Sequence, residues 1–194
     1  MTKDEGIRPG TTYESLSKIT PAFKQFGDRS TGGNSSQVTD GGKHLSFLPI
    51  RYANEVDQSL THISPPAAAV LLMKRSRAIE LGQPILAKFV GATVTGLAPR
   101  IMGIGPSLAI PKLLKKLNIT LADCDIVEIN EAFASMAVYC QNVLGVPPEK
   151  LNPRGGAIAL GHPLGCTGAR QIVTGLSECR RQKKKILLTS MCKC

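Results

Sequence analysis

The first residues able to do chemistry form a histidine set among glycines and a proline. Asn152-Pro153-Arg154-Gly155-Gly156-Ala157-Ile158-Ala159-Leu160-Gly161-His162-Pro163 places His162 between small residues, immediately before a proline that can open a helix. Glycines on both sides let backbone and ligand approach closely, and a following helix N-terminus favours negative charge. The plainer reading of the same residues is a structural histidine in a tight turn. Asn130 stands where a strand pattern gives way to a helix pattern, the edge at which open α/β sheets bind ligands. An asparagine there also serves as a helix N-cap. Cys192 falls at the carboxyl end of the last strand pattern, where its ordinary alternative is a small buried hydrophobe. Each of the three, taken singly, has a structural explanation.

The elements that must position them follow from periodicity. Residues 125–129 read as a short strand running into Asn130, followed by a helix with Phe133, Met136, Ala137, Cys140 and Leu144 on one face, ended by Gly145. A glycine-rich stretch over 155–168 precedes a helix to about Arg181 and a final strand over 185–191. Upstream, 1–27 is a polar connector with a capped turn at Thr11-Thr12-Tyr13-Glu14, and 30–41 is a loop. A buried helix is expected over 67–81, ending at Gly82, then a strand over 84–96. A short amphipathic helix follows over 110–117, with Pro111 near its first turn. Strands alternating with helices predict an α/β layered domain. Residues 42–66 follow no clear period.

Composition narrows the function classes. The net charge is +10, but the one dense basic run, 180–185, sits at a helix C-terminus, where cations complement the dipole. Aromatic residues make up only 4% of the chain, so no nucleic-acid partner is expected. A basic surface still favours an anionic small molecule. No stretch approaches the roughly 18 apolar residues of a membrane span, and no membrane association is expected. The six cysteines lack a zinc-type double pair, so reduced thiols are expected, and Cys192 with Cys194 gives too few ligands for a closed metal site.

Together the motifs are far more specific. Asn130-Glu131-Ala132-Phe133, the 152–171 stretch and Ser190-Met191-Cys192 occur in the order and spacing of the thiolase family, and this sequence resembles its peroxisomal 3-ketoacyl-CoA members in particular. The likeness extends upstream through Asp4-Glu5-Gly6, Arg8-Pro9, Glu14-Ser15-Leu16 and Pro21-Ala22-Phe23, and through Ser30 to Ser36, which looks like the coenzyme A loop. The resemblance implies the C-terminal α/β domain of the thiolase fold, a mixed sheet with helices on its faces, cut before its last strand. Residues 1–27 then end the loop domain and 28–194 form the C-terminal domain, with an atypical insert at 42–66.

The resemblance also implies acyltransferase activity: thiolytic cleavage of 3-ketoacyl-CoA to acetyl-CoA and a shortened acyl-CoA in fatty-acid β-oxidation. A cysteine nucleophile takes the acyl group, His162 activates it, and Asn130 holds a water that with His162 stabilises the thioester oxygen. Cys192 exchanges the proton at the carbon that becomes a carbanion. Ser36 matches the serine that touches the pantetheine arm of coenzyme A, which is a substrate and not a resident cofactor. A homodimer and a peroxisomal location belong to the same implication, although the chain carries no targeting signal of its own.

Three departures qualify it. In thiolases the nucleophilic cysteine lies in the N-terminal domain, and no part of this chain is expected to match that domain, so the isolated chain is expected to be inactive. A non-catalytic fragment that binds coenzyme A or a protein partner is the alternative. The 42–66 insert interrupts the passage from the coenzyme A loop to the next helix, and Cys194 replaces a glycine of the family's second oxyanion hole. Gly42-Lys43, Pro66-Ala67 and the Met191–Cys194 ending can all be encoded by splice-site sequences, so insert and ending are read as retained introns; a spliced transcript still encoding 42–66 refutes that reading.

Overall fold

The computed structural model describes residues 9–22, 24–37 and 68–192. In chain order the helices are α1 (Tyr13–Ser17), α2 (Arg75–Glu80), α3 (Gly105–Leu117), α4 (Ala134–Leu144), α5 (Ala157–Leu160) and α6 (Thr167–Arg181). The strands are β1 (Ile126–Ile129) and β2 (Leu187–Ser190).

All four residues of β1 are buried, and β1 pairs in parallel with β2, Ile126 opposite Leu187 and Ile129 opposite Ser190. A further parallel bridge joins Val127 to Leu151 on the other side of β1, which is therefore the inner strand. Strand alternation sorts its side chains between two helix layers. Val127 and Ile129 pack with Leu188 against Ile110 and Leu114 of α3 and Cys140 of α4. Glu128 meets α6 on the opposite face, where the Gln171 side-chain amide donates to its carbonyl oxygen at 3.3 Å. Gly175 brings α6 down onto β2, since a Cβ there would lie 2.4 Å from Leu187 Cδ1. Helices thus cover both faces of a parallel pair, a layered α/β arrangement.

Local signals explain the ends. Thr12 caps α1 in a reciprocal capping box with Ser15. Gly145 ends α4 with φ 67°, in the left-handed region that favours glycine. Arg180 and Arg181 occupy the last turn of α6, as the basic run predicts. Beyond it the Asp125 carboxylate accepts the N–H groups of Lys185 and Ile186 at 2.9 and 3.0 Å. These bonds set β2 beside β1 and hold the Asp125 carboxyl below its ordinary range.

Four expectations need correction. The 67–81 helix is reduced to Arg75–Glu80, although it stops at Gly82 as expected; Ala67 lies outside the described residues. Leu71 and Leu72 are 51% and 64% exposed, and a short helix without a buried apolar face is marginal. The 84–96 strand is not formed among the described residues: the segment has no ladder partner, and Phe89 and Val94 are 72% and 82% exposed. Alternation supplies an extended backbone, but a strand also needs a neighbour. Two lysines of α3 take its carbonyls instead, Lys112 Nζ donating to Val94 O at 2.8 Å and Lys116 Nζ to Ala92 O at 3.3 Å. α3 itself begins at Gly105 with Pro106 in its first turn, which leaves Pro111 in the helix interior. Phe133 is the N-cap of α4 and 47% exposed, off the buried face formed by Met136, Ala137 and Cys140. The 42–66 insert lies outside the described residues, and among those described no helix is long and apolar enough to cross a membrane.

Candidate active site

The parallel strands deliver their chemistry at one edge. Asn130 follows β1 and continues the ladder, its N–H donating to Ser190 O at 3.0 Å, and its side chain is fully buried. Because α4 is capped at Phe133, the N-cap reading of Asn130 is excluded. Its side-chain Nδ2 lies 3.3 Å from Nε2 of His162.

His162 reaches that place by a turn. α5 ends at Gly161, whose φ of 94° is strained for any residue with a Cβ, and the backbone N–H of His162 donates to Gln37 O at 2.8 Å. Its Nδ1 lies 2.7 Å from the hydroxyl oxygen of Thr167, the first residue of α6. Burial, and secondarily the Arg170 guanidinium, push the His162 pKa below the ordinary histidine value, so the ring is neutral at physiological pH.

The 31–37 loop fastens onto the exit of β1. Ser35 forms an antiparallel bridge with Phe133, and Asn34 O accepts the N–H of Ala134 at 2.9 Å. Ser36 donates to Ala132 O through both its N–H, at 3.1 Å, and its hydroxyl, at 3.2 Å. Ser36 is therefore one residue from the carbonyl that holds His162. Cys192 stands two residues past β2 at the same carboxyl edge, half-buried, with its sulfur 3.9 Å from Met136 Sδ. Asn130 and His162 are thus in contact, Ser36 adjoins them through Gln37, and Cys192 shares their edge while its sulfur faces α4.

Sequence reasoning missed the residues that hold this edge. Asn152, at φ 44°, clamps the end of β1: its Oδ1 accepts the Ile129 N–H and its Nδ2 donates to Ile129 O, both at 2.9 Å. The same Nδ2 lies 2.7 Å from Glu131 Oε1, while Glu131 Oε2 accepts the Ile158 N–H at 3.2 Å. The available signal was polar Asn152 opening the glycine-rich run. Gly156 lies against this carboxylate, and a Cβ there would come within 2.1 Å of Glu131 Cδ. Because Glu131 is bonded at both oxygens it cannot swing aside freely, so Gly156→Ala is expected to cost about 1–3 kcal/mol. Urea denaturation checks this; an unchanged midpoint means that the carboxylate is not fixed.

Other groups sort themselves by access. A cavity of about 480 Å³ opens beside Glu131, Asn152 and Gly156, but Asn130, His162 and Cys192 do not line it. Cys124, Cys140, Cys166 and Cys179 are buried free thiols, and burial pushes Cys124, Cys140 and Cys179 above the ordinary thiol pKa. Among the described residues no group of His, Cys, Asp and Glu is arranged to hold a metal ion.

Comparison with known proteins accounts for the pattern. The profile of the thiolase C-terminal domain matches residues 83–194, and that of the thiolase N-terminal domain matches 1–48. The second match corrects the expectation that no part of this chain resembles the N-terminal domain, although residues 1–48 contain no cysteine. The human peroxisomal 3-ketoacyl-CoA thiolase is 52% identical over 193 residues, 99% of this chain and 39% of that protein. The Saccharomyces cerevisiae peroxisomal enzyme is 47% identical over 189 residues, 97% of this chain and 39% of that one. The chain therefore spans about two fifths of the length of these relatives. Among solved structures, the dimeric peroxisomal thiolase of S. cerevisiae superposes with a TM-score of 0.75 at 44% identity, covering 97% of this chain and 41% of that one. Human mitochondrial 3-ketoacyl-CoA thiolase in complex with CoA gives 0.75 at 34% identity, covering 99% and 42%. The chain belongs to the thiolase family.

Proposed function

We propose that this chain supplies the C-terminal share of an acetyl-CoA acyltransferase, which cleaves 3-ketoacyl-CoA with coenzyme A to acetyl-CoA and a shortened acyl-CoA. The observation that carries the reading is the 3.3 Å approach of buried Asn130 to a neutral, half-buried His162. A neutral imidazole accepts the proton of an attacking thiol. The resulting imidazolium, with a water held by Asn130, then stabilises the negative charge on the thioester oxygen. Asn130 Oδ1 suits that task, being buried with no hydrogen-bond partner among the described residues. Cys192 takes the second proton-transfer role, at the carbon that loses the acyl group. The nucleophilic sulfur comes from outside this chain, since Cys124, Cys140, Cys166 and Cys179 are buried in the core.

Coenzyme A is a substrate here, with Ser36 beside its pantetheine arm; support comes from the CoA complex of the human mitochondrial relative and from the excess of 24 Lys and Arg over 14 Asp and Glu. The yeast relative's dimeric structure and the peroxisomal relatives support a homodimer and a peroxisomal location for the full-length protein. We divide the chain into a connector over 1–27 and a C-terminal domain over 28–194 carrying an insert at 42–66. Neither family profile covers 49–82, a gap that overlaps the insert only over 49–66.

Calorimetry with coenzyme A tests the reading. Saturable binding is expected, weaker at higher salt, and reduced about two- to tenfold by Ser36→Ala. Absence of saturation at millimolar coenzyme A removes the substrate assignment. The buried thiols also favour a second reading, a coenzyme A-binding fragment that never turns over, and this is what remains if binding persists without activity in any fused form.

A further inference from the structure

We propose that Thr167 is a positioning residue that sets the tautomer of His162, keeping the ring proton on Nδ1 and leaving the Nε2 lone pair on the side of Asn130. The proposal deepens the reading of His162 as the proton acceptor, but the tautomer is a property of the chain without substrate.

The argument is a count of protons. The Thr167 side chain is fully buried, and its hydroxyl has one proton and two neighbours, Pro163 O at 3.0 Å and His162 Nδ1 at 2.7 Å. A carbonyl oxygen can only accept. Pro163 O is itself held in place by the N–H groups of Cys166 at 2.8 Å and Thr167 at 2.9 Å. If the hydroxyl gave its proton to the ring instead, two oxygens would face each other at 3.0 Å with no hydrogen between them. The hydroxyl therefore donates to Pro163 O and accepts from Nδ1–H. The bond made by one ring nitrogen fixes the state of the other.

The far side of the ring agrees. Nε2 faces Asn130 Nδ2, a donor, at 3.3 Å, so a proton on Nε2 would oppose two N–H groups. With the amide so placed, Asn130 is compatible with the proton on Nδ1, while the selection itself comes from the Thr167 hydroxyl. The base of the proposed acyl transfer then points away from α6.

Long-range proton–nitrogen correlation spectra of the nitrogen-15-labelled chain, recorded without coenzyme A above the titration of His162, read the tautomer directly. The chain has three histidines, and the signals lost in His162→Gln identify the ring in question. Wild type is expected to show a protonated Nδ1 and a bare Nε2. Thr167→Val is expected to shift the tautomer ratio about fivefold or more toward Nε2–H, the worth of one ordinary hydrogen bond, and Thr167→Ser to restore it. A wild-type ring protonated on Nε2, or a valine variant with unchanged ratio, overturns the proposal. If the valine variant fails to fold, the wild-type and serine spectra still decide. A purely structural threonine would change the melting temperature and leave the ratio alone, and failure of coenzyme A binding would touch the acyltransferase reading only.

Discussion

Joined behind the N-terminal part of the human peroxisomal relative that this chain does not span, this chain is expected to thiolyse 3-ketoacyl-CoA, while alone it is expected to give no turnover. In the fusion, His162→Ala is expected to lower kcat/KM by about 10²–10⁴-fold, the usual worth of a positioned general base. Asn130→Ala should cost about 10²–10³-fold, as loss of an oxyanion-stabilising group does. The contrast between the two forms follows from thiol access: Cys124, Cys140, Cys166 and Cys179 are buried, and raised pKa values suppress the thiolates of Cys124, Cys140 and Cys179. Cys192, half-buried beside Met136, is assigned to proton exchange and not to attack. Consumption of free coenzyme A thiol and loss of the ketoacyl absorbance are the readouts. Turnover by the isolated chain, or a fusion indifferent to His162→Ala, defeats the assignment.

The sequence made the site far more legible than the frame around it. Asn130, His162 and Cys192 could be placed because each sits at a junction with a strong local signature: a strand ending in Ile129-Asn130, a glycine turn at Gly161 with φ 94°, and a strand ending just before Met191. The supporting contacts were illegible because they join residues distant in sequence. Asn152 clamps β1 across 23 positions, and Gln37 meets His162 through a backbone carbonyl, which carries no side-chain signal at all. Residues 84–96 mislead for a related reason. Their alternation is real, but pairing depends on what lies alongside, and in this chain Lys112 and Lys116 reach the carbonyls at Val94 and Ala92. The glycine at 156 reads as room for a ligand, whereas the structure uses it for a close approach to Glu131, and Gly175, which carries no local signal, lets α6 approach Leu187.

Arg170→Met is expected to be the most destabilising single change on the β1–α6 face, and its cost should depend on pH. Arg170 Nη1 lies 3.3 Å from Glu128 Oε2, with Glu128 fully buried and the Arg170 side chain 10% exposed. The pair is incompletely satisfied, since Glu128 Oε1 and Arg170 Nε and Nη2 have no partner among the described residues. Burial pushes the Glu128 carboxyl up to about 7, against the opposing pull of Arg170. A carboxyl whose folded pKa lies above its unfolded one keeps a proton that the unfolded chain has already lost. Its contribution to stability is therefore fully present below about pH 4.5 and is lost as pH rises through 7. Removing Arg170 takes away a counter-charge and lets the carboxyl keep its proton, so the loss at pH 8 is expected to exceed the loss at pH 5 by up to about 1.4 kcal/mol, the worth of one pH unit above the folded pKa. At pH 5 the carboxyl is already protonated, and only the packing and hydrogen bonding of Arg170 are lost. Adding Glu128→Gln to Arg170→Met should remove the difference between the two pH values. Urea denaturation midpoints at pH 5 and 8 measure all of this, and equal losses at both would show that the carboxylate is not the stranded charge. The same substitution reaches the active site: Arg170 helps to push the His162 pKa down, so Arg170→Met should raise it, and an unshifted His162 titration would separate the buried pair from the base it flanks.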